Sequence, residues 1–186
     1  MYKLVQKLGF FKAPYKGCFL MEHIDANSLK LIKGIVVCKE SGEYLVDLIL
    51  DSNINPILLS GFVGALSLFG KENLGKIKEI QVKGLDVDMI VVSKHNLILV
   101  AIMDKELLKN GVHDELEGLL DIFYSCYQDE IKDNIEVMKF NDFKEVLFSQ
   151  IQEYLDRLKN GETTQATVGD FGFITETIKK MKYKNC

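Results

Sequence analysis

Arginine is almost missing from this chain: Arg157 is the single one among 186 residues. Nucleic-acid interfaces rely on arginine forks for phosphates and guanine edges, set on a basic face. With a net charge of −4, the composition argues against a nucleic-acid partner. Cysteine is sparse and scattered: Cys18, Cys38, Cys126 and Cys186 form no C-x-x-C pair, and no histidine stands at metal-ligand spacing. Reduced thiols are expected, the inner ones packed as small hydrophobes. Long apolar runs are also lacking. The most apolar stretch, Pro56 to Gly70, is about 15 residues, short of the roughly 20 that span a bilayer. The amino terminus has Lys3 and Lys7 but no apolar core with a small-residue cleavage site, so no secretory signal is read there and a cytoplasmic location is expected.

What is present fits a soluble, folded chain with a substantial core: 47% hydrophobic and 27% charged residues. Charge is unevenly spread. Lys3, Lys7, Lys12 and Lys16 make residues 1–17 basic, and four lysines against Glu176 do the same for 171–186. The two ends together carry +7, which leaves −11 for the residues between them.

Residues 31 to 50, LIKGIVVCKESGEYLVDLIL, are two apolar, β-branched runs around Ser41-Gly42, the pattern of a β-hairpin. Asp51-Ser52-Asn53 and Pro56 then announce a helix over about 55–70, PILLSGFVGALSLFG. Leu58, Phe62, Ala65, Leu66 and Phe69 recur at three- and four-residue steps and predict its buried face. Ser60, Gly61, Gly64 and Ala65 would let another backbone approach closely. Three antiparallel strands follow: 77–83, Met89–Ser93 and Leu97–Met103, with a turn at Gly84–Asp88 and a polar break at Lys94-His95-Asn96. MIVVS and LILVAIM are apolar at successive positions, so both faces of the sheet should be covered. Two helices complete the body, Val112 to Lys132 and Asn141 or Asp142 to Leu158. The expected fold is an α+β, α/β/α sandwich: a five-stranded antiparallel sheet in the order β-β-α-β-β-β-α-α, one helix on one face and two on the other.

That order, carried by residues 31–158 with the GIVVCKESGEYL hairpin, the ILLSGFVGALSLFGKENLG helix running into IKEIQVKG, and the LILVAIMD strand, resembles the longin domain of the longin/roadblock superfamily. The wording is similar to that of archaeal longin-like proteins related to trafficking modules. The fold occurs in trafficking SNARE amino-terminal domains, adaptor-complex small subunits and subunits of GTPase-exchange assemblies. The resemblance implies a non-catalytic module that pairs with itself or another longin/roadblock-type protein, as a homodimer for instance, and binds a small GTPase or a trafficking-type complex. About 30 residues precede the first expected strand, where longin domains usually begin almost at once. The chain thus divides into a basic extension (1–30), the longin-like domain (31–158), a flexible linker (159–170, including NGETTQATVGD) and a basic amphipathic segment (171–186).

Motifs that suggest chemistry fail their context tests. GKENLGKI, residues 70–77, is one hydroxyl short of a phosphate-binding loop, with Ile77 where Ser or Thr would reach Mg²⁺. Such a loop leaves a strand and opens a helix, whereas here it closes a helix and opens a strand. Gly70 then reads as the helix cap and Gly75 as a turn residue. Asp170-Phe171-Gly172 lacks every other kinase motif, and His113-Asp114-Glu115-Leu116 is internal, where no retrieval receptor would read it. His23, His95 and His113 are far apart and expected to be solvated or hydrogen-bonded; Asp86 and Asp88 are placed on a hairpin turn. No enzyme activity, catalytic residue, metal or cofactor is expected. A sensory domain holding a small ligand between sheet and helix is the alternative, and it requires a pocket with convergent polar groups.

The two ends supply the candidate contact residues. Leu4, Leu8 and Phe11 fall on one helical face apart from Lys7, and Phe171, Ile174 and Ile178 on another apart from Lys179, Lys180 and Lys182. Such segments either lie peripherally on an anionic membrane or dock on a partner, or they pack on the body itself or across a dimer.

Overall fold

The computed structural model describes residues 30–75, 77, 79–107, 112–132 and 137–159. Its centre is set by two strands with long runs of successive apolar residues, Ile35–Cys38 and Leu97–Met103. β1 (Ile32–Lys39) pairs with β5 (Leu97–Asp104), Val36 facing Val100. β2 (Tyr44–Ile49) lies outside β1, while β4 (Val87–Lys94) and β3 (Glu79–Lys83) lie beyond β5, giving the antiparallel order β2-β1-β5-β4-β3. Among the described residues three helices cover it: α1 (Pro56–Asn73), α2 (Val112–Lys132) and α3 (Phe143–Lys159), with short 3₁₀ turns at Lys105–Leu107 and Val137–Phe140.

Alternate side chains of the central strands enter two different cores, because successive residues of a strand point to opposite faces. Ile35, Val37, Leu97 and Leu99 pack with Leu116, Leu120 and Phe123 of α2 and with Leu147 and Ile151 of α3. Val36, Cys38, Val91, Ile98 and Val100 pack with Val63 of α1, and Leu59 and Ile80 lie against them. One helix therefore sits on one face and two on the other, as the doubly apolar runs required. On the two-helix side Phe123, Tyr127, Phe140 and Phe143 interlock, with ring centroids 4.8 to 6.1 Å apart. α2 breaks helical geometry at Tyr127 (φ −130°, ψ 16°), whose ring meets Phe140 edge-on. Cys38 and Cys126 are buried as small apolar groups.

The ends of α1 differ from expectation. Its cap is Asn55, whose Oδ1 accepts from the backbone N–H groups of Ile57 and Leu58 at 3.1 Å each, with Pro56 in the first turn. Gly70 is no cap. The helix runs on to Asn73, and the Leu74 N–H closes back on the Gly70 carbonyl at 2.7 Å. Gly75 takes the left-handed conformation that ends it, φ +91°. Gly70 is buried instead, because a Cβ there would lie 2.0 Å from Ile77 Cδ1. The helix-to-strand placement of GKENLGKI stands, while Lys76 lies outside the described residues.

Two turns also differ. Asp88 lies in β4, not in the turn, and is buried with its Oδ1 accepting from the Gly84 N–H. His95 and Asn96 both adopt positive φ (57° and 60°) at the β4–β5 hairpin, the conformation of a tight two-residue turn.

Candidate interaction surface

α1 carries more apolar surface than one sheet can cover, and the side it buries is the small one. Ser60, Val63 and Gly64 face inward. The reason is the β1–β2 hairpin, which folds onto the helix there: a Cβ on Gly64 would lie 2.3 Å from Gly42 Cα. Gly42 itself has φ +87°. The close backbone approach expected at the small residues is thus made by the chain's own hairpin. The larger residues predicted to be buried are turned outward. Leu58 is 72% exposed, Phe62 53% and Phe69 58%, and Ile57 and Leu68 extend the same surface. With 100° between successive residues, the Ser60–Gly64 side and the Leu58–Phe62–Phe69 side are opposite flanks of one cylinder.

Shortly beyond the end of α1, β3 begins. Among the described residues it is one of the two edge strands of the sheet, β2 being the other, so one row of its main-chain N–H and C=O groups faces away from β4. Ile80 tucks against the α1 side, Val82 is exposed on that same side, and Glu79, Gln81 and Lys83 point to the other. Glu79 lies beside α2 there: His113 Nδ1 is 3.0 Å from its carboxylate without forming a hydrogen bond, and His113 Nε2 meets Glu117 Oε1 at 3.1 Å.

From Glu117 the polar contacts run on toward the β4–β5 turn. Lys94 Nζ donates to Asp121 Oδ2 at 2.8 Å and reaches Glu117 at 3.3 Å. His95 Nε2 meets Asp121 Oδ1 at 2.7 Å while its ring stacks on Tyr124, centroids 4.4 Å apart. Burial by itself would raise the Asp121 carboxyl, but the hydrogen bonds and charges of Lys94 and His95 hold it below the usual carboxylate range. The Lys94 ammonium is raised, chiefly by its hydrogen bond to Asp121. These contacts fasten the turn to α2. The single arginine does similar work between helices, Arg157 Nη1 meeting Glu115 Oε1 at 2.7 Å.

None of these groups is arranged for nucleophilic chemistry. Burial pushes the Cys38 thiol up to about 12, so it is protonated at neutral pH. The Ser60 hydroxyl donates to the Pro56 carbonyl at 2.8 Å. Among the described residues no group of three or more His, Cys, Asp or Glu could hold a metal ion. A cavity of about 30 Å³ between sheet, α2 and α3, lined by Ile35, Met103, Leu116, Gln150 and Ile151, compares with the ~300 Å³ or more of small-molecule sites. Also among the described residues, no helix is long and apolar enough to cross a membrane.

The residues singled out from the sequence, Leu4, Lys7, Leu8, Phe11, Phe171, Ile174, Ile178, Lys179, Lys180 and Lys182, lie outside the described residues, as does His23. The surface that sequence reasoning missed is α1. Its signal was available: PILLSGFVGALSLF has large apolar residues on nearly every side and no charge before Lys71, which is more than a helix on one layer can bury.

A scan against protein-family models finds no match, and a search of curated proteins finds none either. Solved and assembled structures do resemble it. A chain in a homology model of the full-length AP-3 complex in a stretched open conformation superposes with a TM-score of 0.51 at 9% identity, covering 82% of this chain and 94% of that one. The fold is of the longin/roadblock type. Shorter superpositions of this longin-type fold are found with the gliding protein MglB from Thermus thermophilus (13% identity, 43% of this chain and 67% of that one, TM-score 0.37) and with a Roadblock/LC7 domain from Streptomyces avermitilis (11%, 44% and 75%, TM-score 0.35).

Proposed function

We propose that this chain is a non-catalytic interaction module that pairs through α1 and β3 with a longin/roadblock-type domain and offers the resulting composite surface to a small GTPase or a trafficking-type complex. The observation that carries this reading is the outward apolar side of α1, with Leu58, Phe62 and Phe69 more than half exposed, beside a strand edge that no other described strand pairs with. Exposed apolar patches of this kind mark protein contacts in soluble domains, and an open edge adds directional main-chain hydrogen bonds. The similarity to a chain of the AP-3 assembly is consistent with a partner-dependent role.

The test is capture of small GTPases, each loaded with GDP or with a GTP analogue, by the purified full chain and by Phe62→Asp/Phe69→Asp. The reading expects capture that depends on nucleotide state and is lost in the variant while its thermal melt is retained. Equal capture by both proteins, or none by either, would count against it.

A further inference from the structure

We infer that the polar contacts along α2 form a proton-operated clamp, which draws β3 and the β4–β5 turn onto that helix when His95 and His113 are protonated and loosens as they lose their protons. The inference goes beyond the proposed docking role, because it concerns how the sheet is held to α2 and not what binds outside.

The order of charges leads to it. Glu79 of β3, His113 and Glu117 of α2, Lys94 of β4, Asp121 of α2 and His95 of the turn follow one another as a chain of close contacts, at 3.0, 3.1, 3.3, 2.8 and 2.7 Å. Acid and base alternate at every step. His113, Glu117 and Asp121 supply the helix side because they recur four residues apart on one face of α2. Among these six groups three carboxylates face one permanent cation, Lys94, so the chain carries −2 with both rings neutral. It is balanced only when both rings are protonated.

The seating of His113 makes the requirement specific. Its Nε2 lies 3.1 Å from Glu117 Oε1 and its Nδ1 3.0 Å from Glu79 Oε2, and Nδ1 is buried without a hydrogen-bond partner. A neutral imidazole has one N–H and one lone pair, so one of the two nitrogens then turns a lone pair toward a carboxylate. The imidazolium carries a hydrogen on both. Both contacts become attractive together, and an edge strand is tied to a helix. At the other end His95 meets Asp121 and lies flat on Tyr124, centroids 4.4 Å apart, where a positive ring gains from the aromatic face. The groups that face the two rings are therefore Glu79 from β3, and Glu117, Asp121 and Tyr124 from α2, with Lys94 of β4 sharing Glu117 and Asp121.

Carboxylates ordinarily titrate well below imidazoles, so the clamp is closed in mild acid and opens as pH rises. β3 is one wall of the docking surface proposed above, and on that reading the same protons steady the edge a partner meets.

Amide hydrogen exchange followed by mass spectrometry on the full chain tests this at about pH 5.5 and about pH 8.5, on either side of the ordinary imidazole range. Each variant is compared with wild type at the same pH, which cancels the intrinsic pH dependence of exchange. His113→Gln keeps a polar side chain that cannot be protonated, and His95→Asn does the same with a residue that accepts the turn's φ of 57°. In acid, peptides covering β3 should exchange about two- to fivefold faster in His113→Gln, and those covering residues 94–97 in His95→Asn, the size expected of partly exposed ion pairs. In alkali the differences should vanish or reverse. Glu79→Gln, which leaves both rings in place, should reproduce the acid result at β3, and adding His113→Gln to it should change little further. A difference equal at both pH values would mark a packing role and overturn the clamp, as would unchanged protection in acid. The Phe62/Phe69 capture experiment decides the docking surface independently of either result.

Discussion

Two glycines one turn apart in α1 respond in opposite directions to the same substitution. In a helix, replacing glycine by alanine normally stabilises by about 1 kcal/mol, since alanine restricts the unfolded chain and favours the helical backbone. Gly61 meets nothing within 4 Å of an added Cβ, so Gly61→Ala should show that full gain. At Gly64 the same methyl would lie 2.3 Å from Gly42 Cα and 2.5 Å from Gly42 N. An ordinary contact begins near 3.4 Å, so hairpin and helix must separate by about 1 Å. Both opposing atoms are backbone, so no side chain can swing aside, and overpacking of this kind costs about 3 kcal/mol at the upper end of its usual range. Set against the propensity gain, Gly64→Ala should destabilise by about 2 kcal/mol. Guanidinium unfolding followed by circular dichroism reads both variants as shifts in midpoint at constant slope. A Gly64→Ala protein as stable as Gly61→Ala would refute the claim that the hairpin rests on this side of α1. The outward placement of Phe62 and Phe69 would then need to be reconsidered.

Other consequences follow from the same geometry. Asn55→Ala removes the acceptor for two helix-start N–H groups and should cost about 1 kcal/mol in the same unfolding experiment, with Asn55→Asp close to neutral. Asp121 is held below its unfolded pKa, so its contribution is present above the usual carboxylate range and fades as pH falls through the lowered folded value. Asp121→Asn should therefore lose under about 1 kcal/mol at pH 7, a bound set by its partly exposed ion pair, and the difference from wild type should disappear only once an acid titration has passed below the lowered folded pKa. Cys38, buried and with its thiol pushed up to about 12, should resist alkylation in the native protein at neutral pH and react on denaturation. Mass spectrometry of the labelled peptide would show modification in the folded state if that burial is wrong.

The sheet was readable because its central strands advertise themselves. MIVVS and LILVAIM leave no polar face, and that alone required layers on both sides. Order and helix count came from changes of hydrophobic period, which survive errors of a few residues at the ends. The face of α1 was not readable in the same way. Leu58, Phe62 and Phe69 satisfy helical spacing as well as Ser60, Val63 and Gly64 do, and the choice between them was made by the β1–β2 hairpin, a tertiary contact between residues some twenty positions apart. The large residues won the sequence reading because size usually goes inward, while the folded chain used the small ones to bring two backbones together. Gly70 misled for a related reason: a glycine near a helix end resembles a cap, and only the neighbouring Ile77 side chain shows that its missing Cβ is needed for packing. The polar contacts from Glu79 through His113 to Lys94 and Asp121 join three separate elements, so no local spacing could have announced them.

The pairing of β1 with β5 at the middle of the sheet has a consequence for how this chain is made. Among the described residues every other strand contact joins neighbours in sequence through a short turn, whereas Val36 and Val100 are about 60 residues apart, and closing so long a loop is the slow, entropically costly step in forming a sheet. Until that seam closes the chain holds two local pieces, a hairpin followed by α1 and a three-stranded meander. The meander owns β3, while the hairpin sets the orientation of α1. Nascent chains caught before closure would present the strand edge without the helix face beside it, so a partner that needs both, as proposed above, would bind only after the long-range step is complete.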